Sequence, residues 1–169
     1  MSQPEASPPG RGTSIRAIAP ERTHALRQRI LRRHQPISEM EYPGDREADT
    51  VHLGAFDAER LVGIASLYRE PWREDPRPGD WRLRGMTVED RLRGAGVGAA
   101  LLQACIDHVR GAGGKRLWCN ARTPAQGFYE RFGLTTRSAV WEEEGIGPHV
   151  VMALDVDRAS PASPQDGAR

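Results

Sequence analysis

The sequence predicts an α/β fold on a mixed central sheet, with antiparallel strands first, one parallel crossover in the middle, and flanking helices. Three observations carry that expectation. Apolar runs at 51–56 and 61–68 are joined by the short turn 57–60, which forces an antiparallel pair. An extended run at 81–88 leads through a glycine-rich turn into a helix, where Leu101, Leu102, Cys105, Ile106 and Val109 recur at the period of one buried face. Gly111-Ala112-Gly113-Gly114 stops that helix, so the next strand, 116–120, returns by a helical crossover and lies parallel to 81–88.

The other elements follow in chain order. Residues 1–12 are polar and rich in Pro and Gly, a tail expected to be disordered. The run 14–18 alternates like a half-buried strand. Pro20 opens a helix, with Glu21 in its first turn and Ala25, Leu26, Ile30 and Leu31 at helical spacing. Residues 32–49 show no clear period and read as a loop or a short second helix. The segment 70–80, dense in proline and charge, is a solvated loop. After 116–120 comes a helix over 124–132, ending at Gly133. Two last strands, 134–142 and 149–156, are linked by 143–148, and 157–169 is a second polar tail. The chain is therefore one domain over 13–156 with a tail at each end, and no internal repeat is visible.

Composition narrows the function classes. With 24 basic and 23 acidic residues the net charge is +1, so no global field invites nucleic acid or a membrane. Every basic residue except Lys115 is arginine, scattered rather than clustered. Cys105 and Cys119 read as buried thiols in a reducing compartment, which places the protein in the cytoplasm. They make no four-ligand metal site, and no metal is expected. The first twelve residues hold three prolines and no apolar run, unlike a signal peptide, and no stretch approaches the ~18 apolar residues of a membrane span.

The chemistry sits in Arg93-Gly94-Ala95-Gly96-Val97-Gly98. Three glycines in five positions let the backbone turn sharply and approach a ligand closely. A glycine turn that opens a helix directs unpaired N–H groups and the positive end of the helix dipole at its mouth. That suits a phosphate, and Arg93 adds a charged donor. A P-loop is excluded because Ala99-Ala100 stands where Lys-Ser/Thr should. A dinucleotide turn is disfavoured on two counts. Residues 89–93 separate the strand from the first glycine, and the strand ending Leu117-Trp118-Cys119-Asn120 offers an amide where an acidic ribose ligand belongs.

The spacing Arg93-x-x-Gly96-x-Gly98 resembles the acyl-CoA pyrophosphate loop of the GNAT N-acetyltransferase superfamily. The stretch 117–134, with Asn120 and then Phe128-Tyr129-Glu130-Arg131-Phe132-Gly133-Leu134, is similar to that superfamily's strand–Asn–helix segment. With their flanking strands the two blocks cover about 70–155. The resemblance, to a bacterial-type single-domain member, implies a GNAT-like sheet whose two central parallel strands splay apart and admit acyl-CoA. It implies transfer of an acetyl group from acetyl-CoA to a primary amine, by direct attack in a ternary complex. The acceptor would be a small molecule or a peptide amine, its pocket walled by the region 32–49, and homodimers are common among such proteins.

Residue by residue, the resemblance assigns the pyrophosphate to Arg93, Gly94, Ala95, Gly96, Val97 and Gly98. The pantetheine arm pairs with backbone near Met86 and Val88, whose side chains are expected in the core. Asn120 either hydrogen-bonds the pantetheine amide or simply turns the chain before Thr123-Pro124. Tyr129 is the general acid: a phenol with pKa near 10 can protonate a departing thiolate without being spent at pH 7. Ala95 stands where a basic residue is common, and the strand 82–88 lacks the glutamate that some members use as base. His52, Glu70 and Asp80 are bases by position only, and a water relay is the default. Two other functions stay open: a non-catalytic acyl-CoA-binding or sensor module, and a small NAD-type oxidoreductase.

Overall fold

The structure, a computed structural model, describes residues 12–157. Its strands are β1 (Thr13–Ala17), β2 (Val51–Asp57), β3 (Arg60–Tyr68), β4 (Asp80–Val88), β5 (Arg116–Arg122), β6 (Thr135–Thr136), β7 (Trp141–Glu143) and β8 (Gly147–Asp155). They form one mixed sheet in the order β1-β2-β3-β4-β5-β8-β6, with β7 also on β8. β1–β2 and β2–β3 are antiparallel and β4–β5 is parallel, as the sequence predicts. The helices are α1 (His24–Leu26), α2 (Val97–Gly111) and α3 (Gln126–Glu130). The predicted tails, apart from Gly12 and Asp157, lie outside the described residues.

The described residues divide into two compact units, 12–68 with Arg84–Cys105, and Arg69–Leu83 with 106–157. In the first, β2 and β3 bury Ala55, Phe56, Val62, Ile64 and Leu67 completely. The expected helix from Pro20 is real but not uniform. A 3₁₀ turn (Pro20–Thr23) tightens into α1 and then widens into a π turn (Arg27–Leu31), closed by the Arg32 amide on the Arg27 carbonyl at 2.9 Å. After it, only the 3₁₀ turn Ile37–Glu39 interrupts an irregular stretch running to β2.

What holds that stretch is a buried charge. Arg27 is fully enclosed, and its guanidinium grips Asp45 bidentately at 2.6 and 3.0 Å. It also donates to the Met40 carbonyl (2.8 Å), Ser66 (2.9 Å) and Tyr68 (3.2 Å), and lies 4.0 Å over the Tyr42 ring. Burial alone would raise the Asp45 pKa; hydrogen bonds from Arg27, Tyr68 and the Tyr42 amide outweigh it and hold the carboxyl below its ordinary range. His52 joins through Ser66 (2.6 Å) and the Asp45 carbonyl (2.9 Å). Because a carbonyl only accepts, Nε2 carries the proton and Nδ1 accepts from the Ser66 hydroxyl.

The second unit holds β5 against β8 over its whole length, from Arg116↔Asp155 to Arg122↔His149. A second buried fork closes the loop before β4: Arg116 grips Asp80 at 2.8 and 2.9 Å and reaches Asp75. Here the expected strand 134–142 breaks. β6 is two residues long, and at Ser138 the side-chain oxygen takes the Val151 amide (2.8 Å) in place of a ladder carbonyl, so the chain loops before β7. The helix expected over 124–132 is shorter too: a 3₁₀ turn (Thr123–Ala125) leads into α3, and turns through Phe132 close at Gly133, where φ is +92°.

Candidate active site

β4 begins as an ordinary central strand, with Trp81 and Leu83 buried. Its ladder with β5 runs from Asp80↔Arg116 to Leu83↔Cys119 and stops there, although β4 continues to Val88 and β5 to Arg122. Two residues later Gly85 sits at φ +63°, the left-handed region that a side chain resists. A Cβ there would meet nothing nearer than 3.4 Å, so conformation rather than room demands the glycine. Beyond it Thr87 is the buried side chain, while Met86 and Val88 are half-buried. The expectation that the last two are core residues is corrected. The burial alternation set by Trp81 and Leu83 continues at odd-numbered positions, leaving 86 and 88 on the other side.

A 3₁₀ turn (Asp90–Leu92) carries the chain from β4 into the glycine loop. Gly94 and Gly96 stand at φ +81° and +84°, and a Cβ on Gly94 would meet only open space. α2 starts at Val97, so the amides of Val97, Gly98 and Ala99 have no acceptor within the helix; Ala100 is the first to find one, on the Gly96 carbonyl at 3.0 Å. No acidic residue lies in that first turn. The apolar stripe Leu101, Leu102, Cys105, Ile106 and Val109 is at most 3% exposed, as its spacing predicts. Arg93, at the lip, is exposed and pairs with Asp90 at 2.9 Å.

One residue here escaped sequence reasoning. Glu89 is almost enclosed, and its carboxylate accepts from Arg29 (2.8 Å), Arg60 (3.0 Å) and Arg91 (3.0 Å). Burial raises its pKa, but those three guanidinium groups together pull it below the usual carboxylate range. With Arg33 and Arg93 on Asp90, five arginines meet two carboxylates immediately before the loop. The positive surplus suits an anionic ligand. No local pattern signalled Glu89, because its partners come from other elements. Gly85, by contrast, carried a signal: a glycine inside a strand pattern marks a bulge.

In the second unit Asn120 lies on β5 with its side chain exposed, opposite Val151. Tyr129 sits on α3, half-buried, its ring edge-on to Phe128 at 5.3 Å; Phe128 and Phe132 meet at 5.5 Å. All three rings are partly exposed. The positional bases all have structural partners. Asp80 holds Arg116, Glu70 accepts from Arg82 at 3.2 Å, and His52 belongs to the Arg27 network. Cys105 and Cys119 are buried, and burial pushes both thiols up to about 12, which removes Cys119 as a nucleophile. Among the described residues no cluster of three or more His, Cys, Asp or Glu could hold a metal, and no helix is long and apolar enough to cross a membrane.

Comparison with known proteins bears on this geometry. The sequence profile of the Acetyltransferase (GNAT) family matches residues 20–134. The chain belongs to the GNAT family. The N-acetyltransferase YitI of Bacillus subtilis, itself uncharacterized, is 32% identical to this GNAT chain over 138 residues, covering 82% of it and 93% of the relative. The crystal structure of Escherichia coli ElaA superposes with a TM-score of 0.69 at 21% identity, covering 83% of this chain and 98% of that one. An aminoglycoside 6'-N-acetyltransferase complexed with coenzyme A gives a TM-score of 0.64 at 16% identity, covering 87% and 99%. These structural likenesses establish the shared GNAT fold, and the profile and sequence relative establish the acetyltransferase class.

Proposed function

We propose that this GNAT protein transfers an acetyl group from acetyl-CoA to a primary amine by direct attack in a ternary complex. The observation that carries the reading is the mouth of α2. Two left-handed glycines, three helix-start amides without an intrahelical acceptor, and a surplus of arginine suit a pyrophosphate and little else. Arg93, Gly94, Ala95, Gly96, Val97 and Gly98 hold it. Past Gly85 the β4 backbone near Met86 and Val88 receives the pantetheine arm as an added strand would be received, and Asn120 hydrogen-bonds a pantetheine amide. Tyr129 protonates the departing thiolate. Acetyl-CoA is a co-substrate that supplies the activated acyl carbon. The enzyme works in the cytoplasm, and its acceptor is a small amine or a peptide amine.

Calorimetric titration with acetyl-CoA, CoA and NAD tests the reading. The two CoA species bind and NAD does not; binding of NAD alone would return the glycine turn to a dinucleotide site. Arg93→Ala or Gly96→Val weakens CoA by roughly 1–3 kcal/mol, through a lost charged hydrogen bond or a side chain in the amide cradle. Unchanged affinity in both folded variants removes the pyrophosphate assignment. Tyr129→Phe lowers turnover more than acetyl-CoA affinity. A sensor module would bind CoA with no multiple-turnover thiol release, so that assay separates the two.

A further inference from the structure

The acetyl transfer proposed above needs a base for the incoming ammonium, and the positional candidates are all engaged in structural contacts. We infer that His149 is that base, acting through Nε2. The inference rests on the acetyltransferase reading and concerns residues of the second unit alone.

His149 lies on β8, opposite Arg122 in the β5 ladder and opposite Trp141 in the β7 ladder. Its Nδ1 contacts the Gly147 carbonyl at 2.8 Å. A carbonyl accepts only, so Nδ1 bears the proton and the lone pair of neutral imidazole is on Nε2. No hydrogen bond among the described residues engages Nε2. The ring stacks on Trp141 at 5.7 Å and 26°, which fixes the plane in which that lone pair points. His149 thus has what His52 lacks. In His52 both ring nitrogens are occupied, and its Nε2 donates into the protein.

Its placement fits the task. Residues two apart on a strand share a face, so Trp118 and Asn120 on β5 and His149, Val151 and Ala153 on β8 look the same way. Trp118, Val151 and Ala153 form an apolar floor on which Trp72 and Trp141 pack. Asn120 is exposed on that floor, and one residue past Arg122 the chain turns into the segment bearing Tyr129. Candidate pantetheine contact, base and acid therefore come from one ladder and the turn that follows it. Around the imidazole stand Arg122, its partner in the β5 ladder, and Glu143, which accepts from the Trp141 indole at 3.1 Å.

The step balances. His149 Nε2 takes one proton from the ammonium; the freed amine nitrogen bonds to the acyl carbon and the carbon–sulfur bond breaks. The thiolate takes the Tyr129 proton, the phenolate recovers one from the nitrogen, and the imidazolium returns its own to solvent. An ammonium and a thioester become an amide, a thiol and one released proton.

Two substitutions separate base from scaffold. His149→Asn retains an N–H in the Nδ1 position for Gly147 and deletes Nε2; His149→Gln retains hydrogen-bonding reach near Nε2 without a basic lone pair. The assay is thiol release from acetyl-CoA with a panel of phenethylamine, alkyl diamines, amino sugars and a dipeptide amide. Both variants should lose on the order of 100-fold or more in kcat. The KM for acetyl-CoA should hold, the acidic limb of the pH profile should disappear, and added imidazole should restore part of the rate. Wild-type kcat and pH profile in either folded variant would overturn the assignment. Failure of the wild-type protein to bind acetyl-CoA would instead overturn the acetyltransferase reading on which it rests.

Discussion

Among the described residues each unit contains one buried arginine–aspartate fork, and the two are built differently. Arg27–Asp45 is sealed: neither side chain touches solvent, and Tyr68, Ser66, the Met40 carbonyl and the Tyr42 amide complete the shell. Arg116–Asp80 is equally buried, but its guanidinium also reaches Asp75, whose side chain is half exposed. Each stacks over an aromatic ring, Tyr42 at 4.0 Å and Trp72 at 5.5 Å. The sealed fork leaves one donor, Arg27 Nε, without a partner, whereas the open one uses Nε and both terminal nitrogens. Their tasks explain the difference. Arg27 must organise a stretch with almost no backbone ladder of its own, and Arg116 only fastens a loop to a strand that is already paired. Irregular backbone here is held from inside, by a charge that water cannot replace.

The largest break should be Arg27→Ala. It strands Asp45 in a dry site and should cost about 3–5 kcal/mol in denaturant unfolding. Arg116→Ala should cost less, because water can enter along the Asp75 side; an equal loss would erase the distinction. Tyr68→Phe removes a 2.5 Å hydrogen bond to Asp45 and should cost roughly 1.5–3 kcal/mol. Acid should sharpen the contrast. With the folded Asp45 pKa depressed, its contribution is complete above the unfolded value near 4 and fades as pH falls through the lower folded one. Asp45→Asn should flatten that part of the stability–pH curve, and an unchanged slope would show the fork titrates no differently when unfolded. Asp75→Asn should have the smallest effect on denaturant unfolding, since it trims an ion pair that water already reaches.

The same contrast explains what could be read from the sequence. The glycine loop, the α2 stripe and the β2–β3 hairpin are local: every residue needed to recognise them lies within one turn, one face or one short connection. The forks are not. An arginine in an amphipathic segment looks solvated, and nothing near Arg27 announces Asp45, 18 positions on, or Ser66 and Tyr68, 39 and 41 positions on. Glu89 was hidden in the same way, with Arg29 60 positions back. The overlong strand 134–142 failed for a subtler reason: Ser138 lends its side chain to the ladder, a substitution invisible to hydropathy. At the candidate site the glycine turn and the helix it opens were legible because glycine spacing is a local code. A histidine on a strand carries no such code; only the tautomer fixed by Gly147 and the stack on Trp141 distinguish His149 from His52.

The two cysteines lend themselves to a different use. Cys105 belongs to the first unit and Cys119 to the second, and with thiols near 12 only on the order of one in ten thousand is ionised at pH 8. A disulfide reagent following coenzyme release therefore meets a protein that is chemically silent in its folded form. Over longer times each sulfur reacts only when its surroundings open. Labelling kinetics, resolved by peptide mass, would then provide two native clocks that report whether the halves of the molecule breathe together or apart.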